Sequence, residues 1–220
     1  ILYVNLLNNF LNKEKSNYLK KKLIQTIDFI NSEFISEDNL LGSAYDADSE
    51  GVEGKYYVWN YEDLKFLLKE NFSDFQKKYK ITKEGNFEGS NILLENINQE
   101  LSEKETIKIK EIESLLINER KKRVKPFFDN KVQTDLNCYW LYSNLYASLI
   151  LDDNSLYSKT IFKINLINKK LKENIFHCYN KNKQEIDVFL EDYVYYALLL
   201  ISMYELNNNK ESLEKCKKIM

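Results

Sequence analysis

Helix-breaking residues are scarce in this chain. One proline and five glycines occur in 220 residues, and all five glycines fall between Gly42 and Gly89. So little punctuation excludes a turn-rich β fold and favours long helices around one shaped loop region. Histidine is scarcer still. His177 stands alone, so neither a histidine-containing metal cluster nor a histidine acid–base pair is expected, and no metal or cofactor is assigned. Cys138, Cys178 and Cys216 are too far apart for a CxxC redox or zinc pair. Three scattered thiols suit a reducing compartment, so a cytoplasmic location is expected. His177 and Cys178 adjoin in sequence, but neighbours rarely point at each other, so they are not read as a reactive pair.

Long apolar runs are missing too, and none reaches the ~18 residues of a membrane span. The start, Ile1 to Leu7, lacks the basic region and cleavage site of a secretion signal. It also lacks an initiator methionine and begins inside an apolar-periodic stretch, so the chain is expected to be a piece of something longer. Excess charge is absent, with 32 basic against 34 acidic residues. No whole-chain field favours nucleic acid or an anionic membrane, and neither is expected as a partner.

What is present is a hydrophobic content of 44% with aromatics at 14%, enough for a real core. Residues 1–35 read as an α-hairpin. Leu2, Leu6 and Phe10 mark its first helix, and residues 12–16 form a polar connection. Leu19, Leu23, Ile24, Ile27, Phe29 and Ile30 form the apolar side of its second helix. Residues 36–98 are a glycine-rich insertion in which Lys55 to Trp59 reads as a strand and Asn60 as a helix cap. Residues 99–123 read as a helix stopped by Pro126. Residues 124–220 read as two α-hairpins, with Thr134 or Asp135 capping the first helix and a connector at 174–185. The helix from Leu190 to Tyr204 is apolar on nearly all sides and is expected to be buried all round.

Four carboxylates, Asp46, Asp48, Glu50 and Glu53, crowd the insertion. The spacing matches the first half of a calcium loop, but Tyr57 fills the twelfth position, where a bidentate Glu is needed, so calcium is not expected. Two readings stay open. The acids shape a turn, bonding backbone N–H groups or pairing with Arg120 and Arg123. Alternatively Asp46 and Asp48 line a cavity and accept hydrogen bonds from sugar hydroxyls or act as acid or base. Asp135, Asn137 and Asp192 stand at helix starts. Asp192, inside an otherwise apolar helix, must find a partner or a wet cavity, and the cavity is favoured.

The run Asp46 to Trp59, followed by Gly85-Asn86-Phe87-Glu88-Gly89 and Asn91-Ile92-Leu93, resembles the YyaL-type family. So do Arg120 and Arg123 ahead of Pro126, Asp129-Asn130-Lys131, Thr134-Asp135-Leu136-Asn137 and Leu190-Glu191-Asp192-Tyr193. The family includes the mammalian spermatogenesis-associated thioredoxin-like protein, and the resemblance covers nearly the whole chain. Val4, Asn130 and Leu136 depart from the family pattern, and Val4 removes a carboxylate. The resemblance implies an N-terminal thioredoxin-like domain, absent here, joined to a six-hairpin α/α toroid similar to N-acylglucosamine 2-epimerase and six-hairpin glycosidases.

The expected fold is therefore mainly α: residues 1–220 as part of an α/α toroid with a small β-hairpin and loop insertion. The expected function is carbohydrate-related, as sugar binding, hydrolysis or isomerisation. The alternative is a non-catalytic binding half of a redox-linked protein, and whether the domain is an enzyme is left open. Asp46, Asp48, Asp135 and Asp192 are the candidate catalytic residues. Glu50, Trp59, Glu88, Asp129, Lys131, Asn137 and Tyr193 are the candidate ligand contacts.

Overall fold

The computed structural model describes residue 6 and residues 13–99, 101–171, 174–179 and 186–220. It is mainly helical, as expected. The chain divides into two compact units: unit 1 is Ile1–Ala44 with Phe128–Met220, and unit 2 is Tyr45–Phe127. The helices are α1 (Lys13–Glu33), α2 (Tyr61–Leu68), α3 (Phe72–Lys78), α4 (Glu103–Arg120), α5 (Thr134–Leu151), α6 (Asn154–Lys170), α7 (Leu190–Asn207) and α8 (Lys210–Ile219). Short strands β1 (Asp48–Ser49) and β2 (Val52–Glu53), β3 (Tyr79–Lys80) and β4 (Leu94–Glu95), and β5 (Val132–Gln133) and β6 (Cys178–Tyr179) pair antiparallel.

In unit 1 the reversals after α5 and α7 use one device. Asp152 and Asn208 sit in the left-handed region at φ 54° and 52°, which short polar side chains tolerate. The following Asp153 and Asn209 then cap the next helix, accepting from the Leu156 and Ser212 N–H groups at 2.9 and 3.1 Å. Two α-hairpins result, α5–α6 and α7–α8, and α5 packs against both α6 and α7. Leu141, Leu145, Ile164, Ile167, Tyr196, Leu199 and Leu200 fill the core between them.

In unit 2, Trp59, Leu64, Phe72, Phe75, Ile109, Ile112 and Leu116 make a separate core. Helix α4 thus belongs with the glycine-rich segment. Its N-terminus carries a capping box, Ser102 with Glu105.

Several expectations need correction. The first helix of the 1–35 hairpin falls outside the described residues except Leu6. Helix α1 begins at Lys13, so most of the polar stretch expected as a connector is its first turn. Ile24 and Phe29 of α1 are exposed, and only Leu23 and Ile27 of its apolar side are fully buried. Lys55 to Tyr57 turns rather than extends, and of the expected strand only Trp59 pairs, in a single antiparallel bridge to Asn91. The hairpin forms instead in the acidic run, where Glu50 and Gly51 both take positive φ, the geometry of a two-residue turn matched to strand twist. Helix α4 ends at Arg120, well before Pro126. Helix α7 is not buried all round: Leu190, Val194, Leu198 and Ile201 form an exposed stripe.

Candidate functional site

The N-terminal ends of α5 and α7 meet at one carboxylate. Asp192 is the third residue of α7 and is 0% exposed. Its Oδ2 accepts the Phe189 N–H at 2.9 Å, the reciprocal half of a capping box, and its Oδ1 accepts the Asp135 N–H at 3.1 Å. One side chain therefore caps two helices, and the negative charge suits both helix dipoles. Thr134 and Asp135 do not cap α5 themselves. The residue before the helix is Gln133, which makes no side-chain cap, and the Thr134 hydroxyl instead donates to the Phe176 carbonyl at 2.7 Å.

The third partner of Asp192 is His177. Strand pairing of β5 with β6 brings the connector alongside α5, and the His177 backbone bonds the Thr134 and Ile186 backbones at 2.8 and 2.9 Å. Its ring rests on Phe189 with centroids 4.6 Å apart. Nδ1 lies 3.2 and 3.1 Å from the two Asp192 oxygens, and Nε2 lies 3.1 Å from Gln133 Nε2. A buried carboxylate facing Nδ1 assigns the proton there, leaving the Nε2 lone pair to accept from the Gln133 amide. A carboxylate thus fixes the tautomer and orientation of an imidazole, the arrangement of an oriented acid–base histidine.

Asp135 completes the group. Its Oδ1 is buried and has no hydrogen-bond partner among the described residues. Asp135, His177 and Asp192 each offer a ligand atom, and these lie within 4.8 Å of one another. Folding thus brings the chain's single histidine together with two aspartates. Cys138 and Cys178 lie close by, and burial pushes both thiols up; the Asp192 and Asp135 charges add to this, while at Cys178 the Lys131 charge opposes it.

No family model and no curated protein matches this sequence.

From Asp135 a tyrosine face runs along α5. Tyr139, Tyr142 and Tyr146 follow at helical spacing and are all partly exposed. Tyr195 of α7 packs on Tyr139 with ring centroids 4.8 Å apart, and the Tyr146 hydroxyl reaches Glu205 at 3.3 Å.

The remaining candidates fare differently. Asn137 is buried and saturated: Oδ1 accepts the Leu41 N–H at 2.8 Å, and Nδ2 donates to the Leu41 and Gln133 carbonyls at 3.0 and 2.9 Å. It clamps the segment after α1 to α5. Asp129 and Lys131 close a turn on each other, the Lys131 ammonium 2.9 Å from the Asp129 carboxylate. Tyr193 is partly buried on α7. Asp46, Asp48, Glu50 and Glu88 belong to unit 2 and are exposed. Asp46 Oδ1 accepts the Asp48 N–H at 3.1 Å, and Glu50 pairs with Lys55 at 2.9 Å, so the loop acids bond locally.

Arg123, one suggested partner of those acids, spends its donors elsewhere. It bonds the Lys55, Tyr56 and Val58 carbonyls at 3.3, 3.1 and 2.7 Å. It also stacks on Trp59 at 4.0 Å, burying the indole as packing. Arg120 lies over the Tyr56 and Tyr57 rings.

Proposed function

We propose that unit 1 belongs to a toroid-type α-hairpin domain that binds a sugar-like, hydroxylated ligand at the α5–α7 end, with His177 moving the proton. The observation that carries this reading is the fully buried Asp192 holding His177 by Nδ1 beside the unpaired Asp135 Oδ1. Asp135 accepts a ligand hydroxyl, because a carboxylate accepts without donating. A ligand or water O–H takes the position of the Gln133 amide and gives its proton to Nε2. Asp192 keeps the Nδ1 proton in place and stabilises the imidazolium that forms. The tyrosine face offers ring surface for stacking. The family resemblance points to the same ligand class, and in this reading Asp46 and Asp48 shape their loop while the acid–base role passes to His177.

The test is a panel of mono- and disaccharides and aryl glycosides, scored by saturation-transfer NMR for binding and by product analysis for turnover. His177→Gln is expected to abolish turnover while Asp135→Asn weakens binding about tenfold, the cost of one hydrogen bond. Binding and turnover that survive both substitutions would sink the proposal. Binding without turnover in the parent would favour the non-catalytic half of a redox-linked protein.

The clustering of Asp135, His177 and Asp192 within 4.8 Å favours a second reading, a divalent cation on those three side chains. Two carboxylates and an imidazole suit zinc, manganese or iron(II). Calorimetric titration with Zn2+ and Mn2+ separates the readings, since one tight equivalent lost in Asp135→Ala is expected only of a metal centre.

A further inference from the structure

A concavity is lined by residues of α1, α5 and α6, apart from Asp135, His177 and Asp192. It opens between α1 and α6, with a volume of about 760 Å³, inside the range of small-molecule sites. Its lining includes Asp28 and Asn31 of α1, Asn144 of α5, and Lys159 and Lys163 of α6.

Two features of this lining ask for a ligand. Asn144 is 3% exposed, and its Oδ1 is buried with no hydrogen-bond partner among the described residues. An unpaired buried carbonyl is costly, and a donor entering the concavity would relieve it. The second feature is charge. Lys159 and Lys163 are one turn apart and line the same wall. Among the described residues neither is paired with a carboxylate, and Lys163 reaches only the Asn31 amide oxygen, at 3.4 Å. Burial holds the Lys163 ammonium below its usual range, and the Lys159 charge adds to this. Asp28 is the one acid of the lining among the described residues, against two lysines.

We propose that the α1–α6 concavity binds a hydroxylated phosphate monoester of sugar-phosphate size, its phosphate on Lys159 and Lys163 and a hydroxyl donating to Asn144 Oδ1. A dianion matches two ammonium groups, and bringing it in offsets both their mutual repulsion and the burial of Lys163. The sugar hydroxyls supply the donor that inorganic phosphate cannot direct to the floor at the same time. The α5–α7 end plays no part in this argument.

The test uses the whole chain, with glucose 6-phosphate, glucose and inorganic phosphate as probes in calorimetric titrations. Glucose 6-phosphate is expected to bind at least about tenfold tighter than either fragment, since both halves of the site must be used. Lys159→Met and Lys163→Met should each weaken it about tenfold and make binding less salt-sensitive. Asn144→Leu should weaken it similarly without lowering the melting temperature, because the change removes an unpaired carbonyl rather than a bond. His177→Gln should leave it unchanged, which separates this site from the acid–base one. Equal binding of inorganic phosphate and glucose 6-phosphate, no binding of either, or full affinity in both lysine variants overturns the proposal.

Discussion

Asp192 ties two helix ends and an imidazole together in unit 1. It is buried, and it accepts from two backbone N–H groups and one imidazole. Asp192→Asn swaps one accepting oxygen for a donor, which then faces either a backbone N–H or the imidazole N–H. The expected cost is about 2–4 kcal/mol, read as a lower urea midpoint at unchanged slope. An unchanged midpoint would mean that Asp192 does not hold the two helix ends together. Part of this was legible beforehand. A carboxylate three residues into an apolar helix had to find a partner or water; the wet cavity was the favoured expectation, and the structure gives the partner instead. What hid the partner is that His177 lies 15 residues away, immediately before a two-residue strand, and strands that short leave no alternation to read.

Among elements, helices with a clean apolar face and a side-chain cap were the most readable. Asn60 caps α2 as expected, accepting the Glu62 N–H at 2.8 Å. Helix α7 was misread because an apolar sequence implies burial only where neighbours exist to cover it, and its Leu190–Ile201 stripe has none among the described residues. The acidic hairpin was assigned to the wrong residues because its turn rests on backbone dihedrals at Glu50 and Gly51, which β propensity does not register.

Helix α4 permits a pH test. The Ser102 hydroxyl and N–H both donate to Glu105, and Lys77 lies 3.0 Å away on its other oxygen. These hold the Glu105 carboxyl down at about 2 against an ordinary 4.5. Because the folded value is the lower one, the stabilisation is fully present above pH 4.5 and is lost as pH falls towards 2. Glu105→Gln is therefore expected to be less stable than the parent at neutral pH, with the gap closing between about pH 4.5 and 2 in denaturation curves. A gap that is independent of pH would refute the capping role.

At the scale of the molecule, the chain forms two compact units, and unit 2 has a core of its own. Phe75 is fully buried among Trp59, Leu64 and Ile109 in unit 2. Phe75→Ala is expected to cost about 3–5 kcal/mol. Amide exchange should rise first in α2, α3 and α4, while α5 and α7 keep their protection. An equal rise in all five helices would show that the units unfold as one. The division was hard to see in the sequence because α4 shares its period with the helices of unit 1. Only the side chains it buries, Ile109, Ile112 and Leu116, reveal its neighbours.

The cysteines carry a practical consequence. Cys138, Cys178 and Cys216 are all unbridged and buried, and burial raises the pKa of each thiol. Such thiols react slowly with maleimides under native conditions. A cysteine introduced at an exposed position such as Phe66 or Phe162 would therefore take up a dye or spin label selectively, with the native three left in place.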